Sequence, residues 1–138
     1  MNTLKSALKP GDQLPAIEFG PISRHILALY CGGSGDHNPI HVDSDFAKAA
    51  GYDDVFAHGM LSMAVLGRLL TQWTDPAKVK AFTVRFAAIT LLHDTVTASA
   101  QIADQITEDD EPCFILDIQT HTQTGTTTLT GSATIKIP

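Results

Sequence analysis

The sequence predicts an α+β domain in which an antiparallel sheet of about five strands wraps one long buried helix. Two observations carry this expectation. Between Gly59 and Trp73, the residues Met60, Leu61, Met63, Ala64, Val65, Leu66, Leu69, Leu70 and Trp73 cover nearly the whole circumference of a helix, and a helix apolar all round is buried all round. After it come four segments rich in β-branched residues, at 81–86, 95–102, 113–120 and 127–136, that mostly alternate apolar and polar positions. With a first strand near the start of the chain, such a sheet can cover the helix only by curling around it, with helices on one face.

The elements follow in order. Lys9-Pro10-Gly11-Asp12 reads as a turn and Gln13 to Phe19 as the first strand. Ser23 is an N-cap candidate for a helix over residues 24–30 that ends in the Gly32-Gly33 pair. Asp43 caps a short helix, Ser44 to Ala50, and Gly51 stands where a left-handed C-terminal residue is wanted. The long helix runs from Gly59 to Trp73 and stops before Asp75-Pro76; Ser62, Ala64 and Gly67 on it would let another backbone approach closely. The cluster Glu108-Asp109-Asp110-Glu111-Pro112 and the Gln123-Thr124-Gly125 break are the hairpin turns of the β-rich half.

A chain of 138 residues, 43% apolar and 17% charged, reads as a single globular domain over 1–138. Its net charge of −6, with no basic stripe, argues against nucleic-acid binding. Cys31 and Cys113 match no metal or redox spacing, so two free buried thiols in a reducing compartment are expected. Residues 1–15 lack the apolar core of a signal peptide and no run approaches membrane-spanning length, so a cytoplasmic protein without membrane contact is expected.

The chemistry concentrates in Ser34-Gly35-Asp36-His37-Asn38-Pro39-Ile40-His41. A carboxylate and an imidazole five residues apart sit on a stretch that glycine and proline keep out of regular helix or strand. A stiff loop holding an acid and a base suits activation of water. His58-Gly59-Met60 then opens the long helix, whose first N–H groups have no intrahelical partner and suit a developing oxyanion.

Residues 30–41, continuing through Asp43, Ala47 and Gly51 to Ala57-His58-Gly59-Met60, resemble the hydratase motif of the MaoC-like family. That family comprises (R)-specific enoyl-CoA hydratases and 3-hydroxyacyl-acyl-carrier-protein dehydratases of the hot-dog fold. Gly11-Asp12-Gln13-Leu14-Pro15, Trp73-Thr74-Asp75-Pro76 and Val84-Arg85-Phe86 extend the resemblance toward a mycobacterial fatty-acid-elongation dehydratase that forms the catalytic half of a heterodimer. The chain departs at Ile89-Thr90-Leu91-Leu92-His93-Asp94, where members of the family usually carry a Pro and a Gly before the Asp. The resemblance implies reversible hydration of trans-2-enoyl thioesters to (3R)-hydroxyacyl thioesters. It makes Asp36 the base for the added water and His41 its partner, with the Gly59 N–H as donor to the enolate oxygen. No metal or redox cofactor is implied, since coenzyme A or phosphopantetheine is part of the substrate. A dimer is expected, because a five-stranded sheet around one helix leaves edges that pair across a two-fold axis. It is a homodimer or, as in heterodimeric relatives, a heterodimer, and the resemblance implies that substrate enters at its interface.

Each residue also has a plainer reading. Asp36 could cap an Asx turn, and His41 could simply hold a backbone carbonyl. Asn38 reads as a loop brace, His58 as a residue that shapes the turn, and Ser62 as core packing with its hydroxyl bonded back to the helix. At Gly59 a side chain would obstruct an oxygen approaching the helix start. The cluster Asp36, His37, His41, Asp43 and Asp45 raises a metal site, but Pro39 breaks the helical face that a His37–His41 pair would need, and no EF-hand loop is present. Two rival functions stand beside hydration: a hot-dog acyl-thioesterase, and a non-catalytic acyl-thioester-binding partner subunit, which would lack the Asp or His.

Overall fold

The computed structural model describes residues 7–137. The chain forms β1 (Ile17–Phe19), α1 (Arg24–Ser34), α2 (Ser44–Ala49), α3 (Gly59–Trp73), β2 (Val79–Phe86), β3 (Val96–Glu108), β4 (Glu111–Thr122) and β5 (Thr127–Lys136). Short 3-10 turns at Pro39–His41 and Pro76–Lys78 link the helices and lead into β2. All five strands form one antiparallel sheet in the order β1-β3-β4-β5-β2. The sheet lays Ala98, Ala100, Ile102, Phe114, Leu116, Ile118, Leu129, Ala133 and Ile135 against Val65, Leu66, Leu69 and Leu70 of α3, which is the main core. This is the expected α+β arrangement of strands around the long helix. None of the described helices is long and apolar enough to cross a membrane.

The capping residues act where the sequence puts them. Ser23 Oγ accepts from Ile26 N at 3.1 Å, and Asp43 Oδ1 accepts from Asp45 N and Phe46 N at 3.0 and 3.1 Å. Gly51 takes φ +94° after α2. The turn between β3 and β4 is Asp109-Asp110 with both residues at positive φ, the short hairpin geometry that short acidic side chains tolerate.

Other expectations need correction. α1 does not end in the Gly32-Gly33 pair; it runs through both to Ser34, and Gly35 at φ +76° is the residue that stops it, its N–H donating to Cys31 O. Glycine weakens a helix without forbidding it, and the left-handed residue decides the end. The first strand holds only Ile17–Phe19, with Gln13 reduced to an isolated bridge to Gln101 around Pro15. β2 and β4 start two residues before the expected positions, β4 ends two residues later at Thr122, and β3 runs on to Glu108 past a bulge between Ile102 and Asp104. That bulge breaks the alternation on which the sequence reading relied. α3 is not buried all round within one chain. Leu61, Ser62, Val65, Leu66, Leu69 and Leu70 are sealed, yet Met60 is 52% exposed and Ala64 faces outward, because one sheet covers one side of a helix. Of its small residues, Gly67 stands close to the Phe82 ring and not to another backbone.

A second cluster, Ile22, Leu27, Ala47, Val55, Ala57 and Leu61, packs α1 and α2 on the start of α3. Asp54 clips this unit together: its carboxylate accepts from Ser44 Oγ, from Val55 N and from the Arg24 guanidinium. Those bonds hold the Asp54 carboxyl below the usual carboxylate range, Ser44 being the strongest influence. The clip fixes the segment between α1 and α2 over the N-terminus of α3, and there the candidate site lies.

Candidate active site

Residues 34–41 are stiffened by a ladder of local bonds. Ser34 Oγ donates to Tyr30 O at 2.6 Å and accepts from Asp36 N at 3.1 Å. Asp36 Oδ1 accepts from Asn38 N at 3.2 Å, and Asn38 Oδ1 accepts from Ile40 N at 3.1 Å. Asn38 is thus the brace its sequence position predicts, capping the 3-10 turn that Pro39 begins. The Asx turn at Asp36 is present as well, but it engages one carboxylate oxygen and leaves the other uncommitted among the described residues. The Asp36 side chain is exposed to solvent.

His41, on the next turn, is only 8% exposed. Its Nδ1 lies 2.8 Å from Phe56 O. A carbonyl can only accept, so Nδ1 carries the proton and Nε2 presents a lone pair. The bond to the Phe56 carbonyl that the plainer reading of His41 expects is present, and it orients the ring with Nε2 turned away from that carbonyl. The His58 ring stacks on His41 with centroids 3.9 Å apart and planes 26° apart. One oxygen of Asp36, one nitrogen of His41 and one of His58 all lie within 4.8 Å of one another. Two acceptors bridged by one water at ordinary hydrogen-bond lengths stand about 4.5 Å apart, a separation that this upper bound admits for residues 36 and 41. A metal fits less well. Rings stacked face to face aim their in-plane lone pairs along separate planes, and a shared cation needs them to converge.

His58, immediately before α3, is 1% exposed. Its Nε2 lies 3.2 Å from Asp36 O and 3.5 Å from Cys31 Sγ, and the edge of Tyr30 meets its ring at 4.8 Å. Its Nδ1 is buried with no partner among the described residues. Burial, above all, pushes the His58 pKa down, and nearby His41 adds to this; the bond to Asp36 O opposes it. Burial, with Asp36 second, pushes the Tyr30 phenol up, so it stays protonated. The two cysteines, Cys31 and Cys113, are both free and buried.

α3 begins at Gly59, so the N–H groups of Gly59 and Met60 precede any carbonyl that could accept them within the helix. A cavity of about 270 Å³ opens there, lined by Gly59, Ser62, Phe86 and Thr90, with Phe56 at its edge carrying the carbonyl that holds His41. The obstruction expected of a side chain at residue 59 takes a different form: a Cβ there would stand 2.8 Å from the Phe86 ring. Ser62 is 2% exposed, but its hydroxyl does not bond back to the helix; it meets Thr90 Oγ1 at 3.3 Å on the cavity wall. A larger depression of about 490 Å³ on the outer sheet, lined by Gln13, Gln101, Asp117 and Gln119, shares no residue with this site.

The sequence model of the MaoC like domain matches residues 7–123. The chain belongs to the MaoC-like dehydratase family. It is 31% identical over 119 residues to an (R)-specific enoyl-CoA hydratase of Rhodospirillum rubrum, covering 85% of this chain and 81% of that one. It is 30% identical to an (R)-specific enoyl-CoA hydratase of Aeromonas caviae, covering 81% and 84%. The solved (R)-hydratase from A. caviae, described as involved in PHA biosynthesis, superposes with a TM-score of 0.82 at 25% identity, over 96% of this chain and 98% of that one.

Within the MaoC-like frame, the segment at 89–94 that departs from the family pattern does local work. Ala57 N donates to Thr90 O at 3.0 Å, Leu91 bridges Phe56, and His93 holds φ +70°. The segment's first two residues, Ile89 and Thr90, wall the cavity beside Gly59. Sequence reasoning missed Thr90, Phe86 and Phe56 as residues of the site, and it did not foresee the contacts of Tyr30 and Cys31 with His58. Phe86, in Val84-Arg85-Phe86, carried a signal as part of the family resemblance, and Thr90 lay in the segment where the chain departs from it.

Proposed function

We propose that this MaoC-like enzyme catalyses reversible hydration of trans-2-enoyl thioesters to (3R)-hydroxyacyl thioesters, with Asp36, His41 and the Gly59 N–H as its catalytic groups. The observation that carries the reading is the approach of the Asp36 carboxylate to His41 within 4.8 Å, with Nδ1 of His41 tied to Phe56 O. Water held by the carboxylate and by Nε2 of His41 gives up a proton to Asp36 as its oxygen bonds to C3. The C2=C3 electron pair moves toward the thioester, whose oxygen takes the charge as an enolate at the start of α3. A helix N-terminus with free N–H groups stabilises that charge by dipole and hydrogen bond together. The proton then returns from the Asp36–His41 pair to C2, so the elements of water are added and the enzyme is restored. Dehydration is the same path reversed. Asn38 and His58 support the loop, and Ser62 with Thr90 lines the acyl-facing cavity. No metal or redox cofactor enters this scheme; coenzyme A or a carrier protein's phosphopantetheine is the handle of the substrate.

A homodimer completes the proposal. β2 is an edge strand with one side unpaired among the described residues, and Met60, Phe86, Ile89 and Leu91 are apolar and 42–58% exposed. Pairing across a two-fold axis would cover such a patch. Sedimentation of the purified chain at twice the monomer mass is the expected result.

The deciding assay follows enoyl absorbance and free thiol together on trans-2-enoyl-CoAs of increasing length. Loss of absorbance without thiol release is expected. Asp36→Asn and His41→Ala should each lower hydration by at least about 10² while circular dichroism stays unchanged. Thiol release in step with substrate loss would favour a thioesterase. Unchanged hydration in both variants would overturn the assignment of the pair.

A further inference from the structure

We propose that His58 is a positioning residue of this site: its imidazole holds the backbone of Asp36 and the ring of His41 in register, one residue before the Gly59 donor. The inference rests on the hydratase reading above. It starts from the tautomer. Asp36 O can only accept, so the proton of His58 lies on Nε2, which also faces Cys31 Sγ at 3.5 Å. That one N–H ties down the residue whose carboxylate serves as base. The face of the same ring covers His41 at 3.9 Å, and Phe56 O holds His41 from Nδ1. Asp36, His41 and the first turn of α3 are thereby referenced to one buried side chain.

The remaining nitrogen makes the case sharper. Nδ1 of His58 is buried and has no partner among the described residues. An orphaned polar atom is a cost that a phenylalanine of similar shape would remove. A ring that merely filled space would be better without it, so what the imidazole adds over a hydrocarbon ring is its Nε2–H. The titratable groups in contact with the ring are Tyr30 and Cys31 from α1, Asp36 from the loop and His41 from the 3-10 turn. The charged groups that act on the ring are Asp36 and His41, with no lysine or arginine among them. Burial favours the neutral form of the His58 ring, so the face stacked on His41 carries no positive charge.

Two variants separate the two functions of the ring. His58→Phe keeps the stack and removes the donor. His58→Gln keeps an N–H of similar reach and removes the stack. We expect His58→Phe to lower kcat by about 10- to 100-fold, with KM little changed and thermal stability no lower than wild type. We expect His58→Gln, whose amide N–H can still reach Asp36 O, to recover most of the kcat lost in His58→Phe. Wild-type kcat in His58→Phe, or no recovery of kcat in His58→Gln, would overturn the proposal. Nitrogen NMR of the unaltered protein supplies a readout that needs neither variant nor substrate: a neutral His58 protonated at Nε2 is expected throughout neutral pH, and the Nδ1-protonated or charged form would overturn the inference. Failure of the hydratase reading would appear differently, as wild-type protein inactive on every enoyl thioester.

Discussion

Gly59→Ala tests the proposed oxyanion role of the Gly59 N–H with the least disturbance to the fold. Gly59 does not have positive φ, so alanine meets no backbone strain there. Its Cβ would stand 2.8 Å from two carbons of the Phe86 ring. Ordinary carbon contact is about 3.5–4.0 Å, so the ring must withdraw by roughly 1 Å. Phe86 is 52% exposed on an edge strand and can swing outward. Alanine gains up to about 1 kcal/mol over glycine in a helix, which offsets the displacement. The expected net change in stability is within about 1 kcal/mol, a melting shift of a few degrees. Activity should suffer far more, because the methyl group stands at the mouth of the cavity beside the free N–H. Loss of one such donor costs about 10²–10³ in rate. We expect kcat/KM to fall about 10²-fold, equivalent to about 2.7 kcal/mol, measured by enoyl absorbance under first-order conditions. A double-mutant cycle with Phe86→Ala separates the blocked donor from the displaced ring. If the donor is what matters, the double variant stays about 10²-fold below Phe86→Ala alone. Recovery of the double variant to the Phe86→Ala rate, or a Gly59→Ala rate within about threefold of wild type, would refute the reasoning.

Three further perturbations probe the frame around the site. Gly131→Ala would place a Cβ 2.0 Å from Thr83 O and 2.8 Å from Val84 Cα, both backbone atoms of the neighbouring β2. The strands would have to part, so urea titration should show a loss above about 3 kcal/mol; a near-native midpoint would contradict the β2–β5 register. Thr120 and Thr128 are fully buried and their hydroxyls meet at 2.7 Å. Thr128→Val alone should cost about 1–3 kcal/mol in chemical denaturation by stranding its partner, while the double change to valine should recover most of it. His58 has a folded pKa below its unfolded value of 6.5. The unfolded chain therefore binds more protons as pH falls through 6.5, and stability drops toward the lower folded pKa. His58→Phe should flatten that part of the curve, as urea midpoints between pH 8 and pH 5 would reveal.

Much of the molecule is local in origin and could be read from residue order. Ser23, Asp43 and Gly51 start and stop their helices through side chains and φ angles that depend on immediate neighbours. The Asx turns at Asp36 and Asn38 are likewise made within two residues. Where local signals competed, the reading slipped. Gly32 and Gly33 stayed helical because the cap sits at Gly35, and β3 outran its alternating pattern because a bulge resets the phase.

The sequence alone determined the presence of the acid, the imidazole and the glycine at a helix start, since these are matters of residue type and spacing. Their meeting depended on contacts between positions far apart in the chain. His41 is oriented by the carbonyl of Phe56, Asp36 is anchored by His58 across 22 residues, and the slot beside Gly59 is closed by Phe86 and Thr90 from the opposite half. A tautomer is fixed by whichever backbone oxygen the fold brings to a ring nitrogen, and a cavity by which side chains fail to meet. Both are properties of packing, which no local pattern of residues encodes.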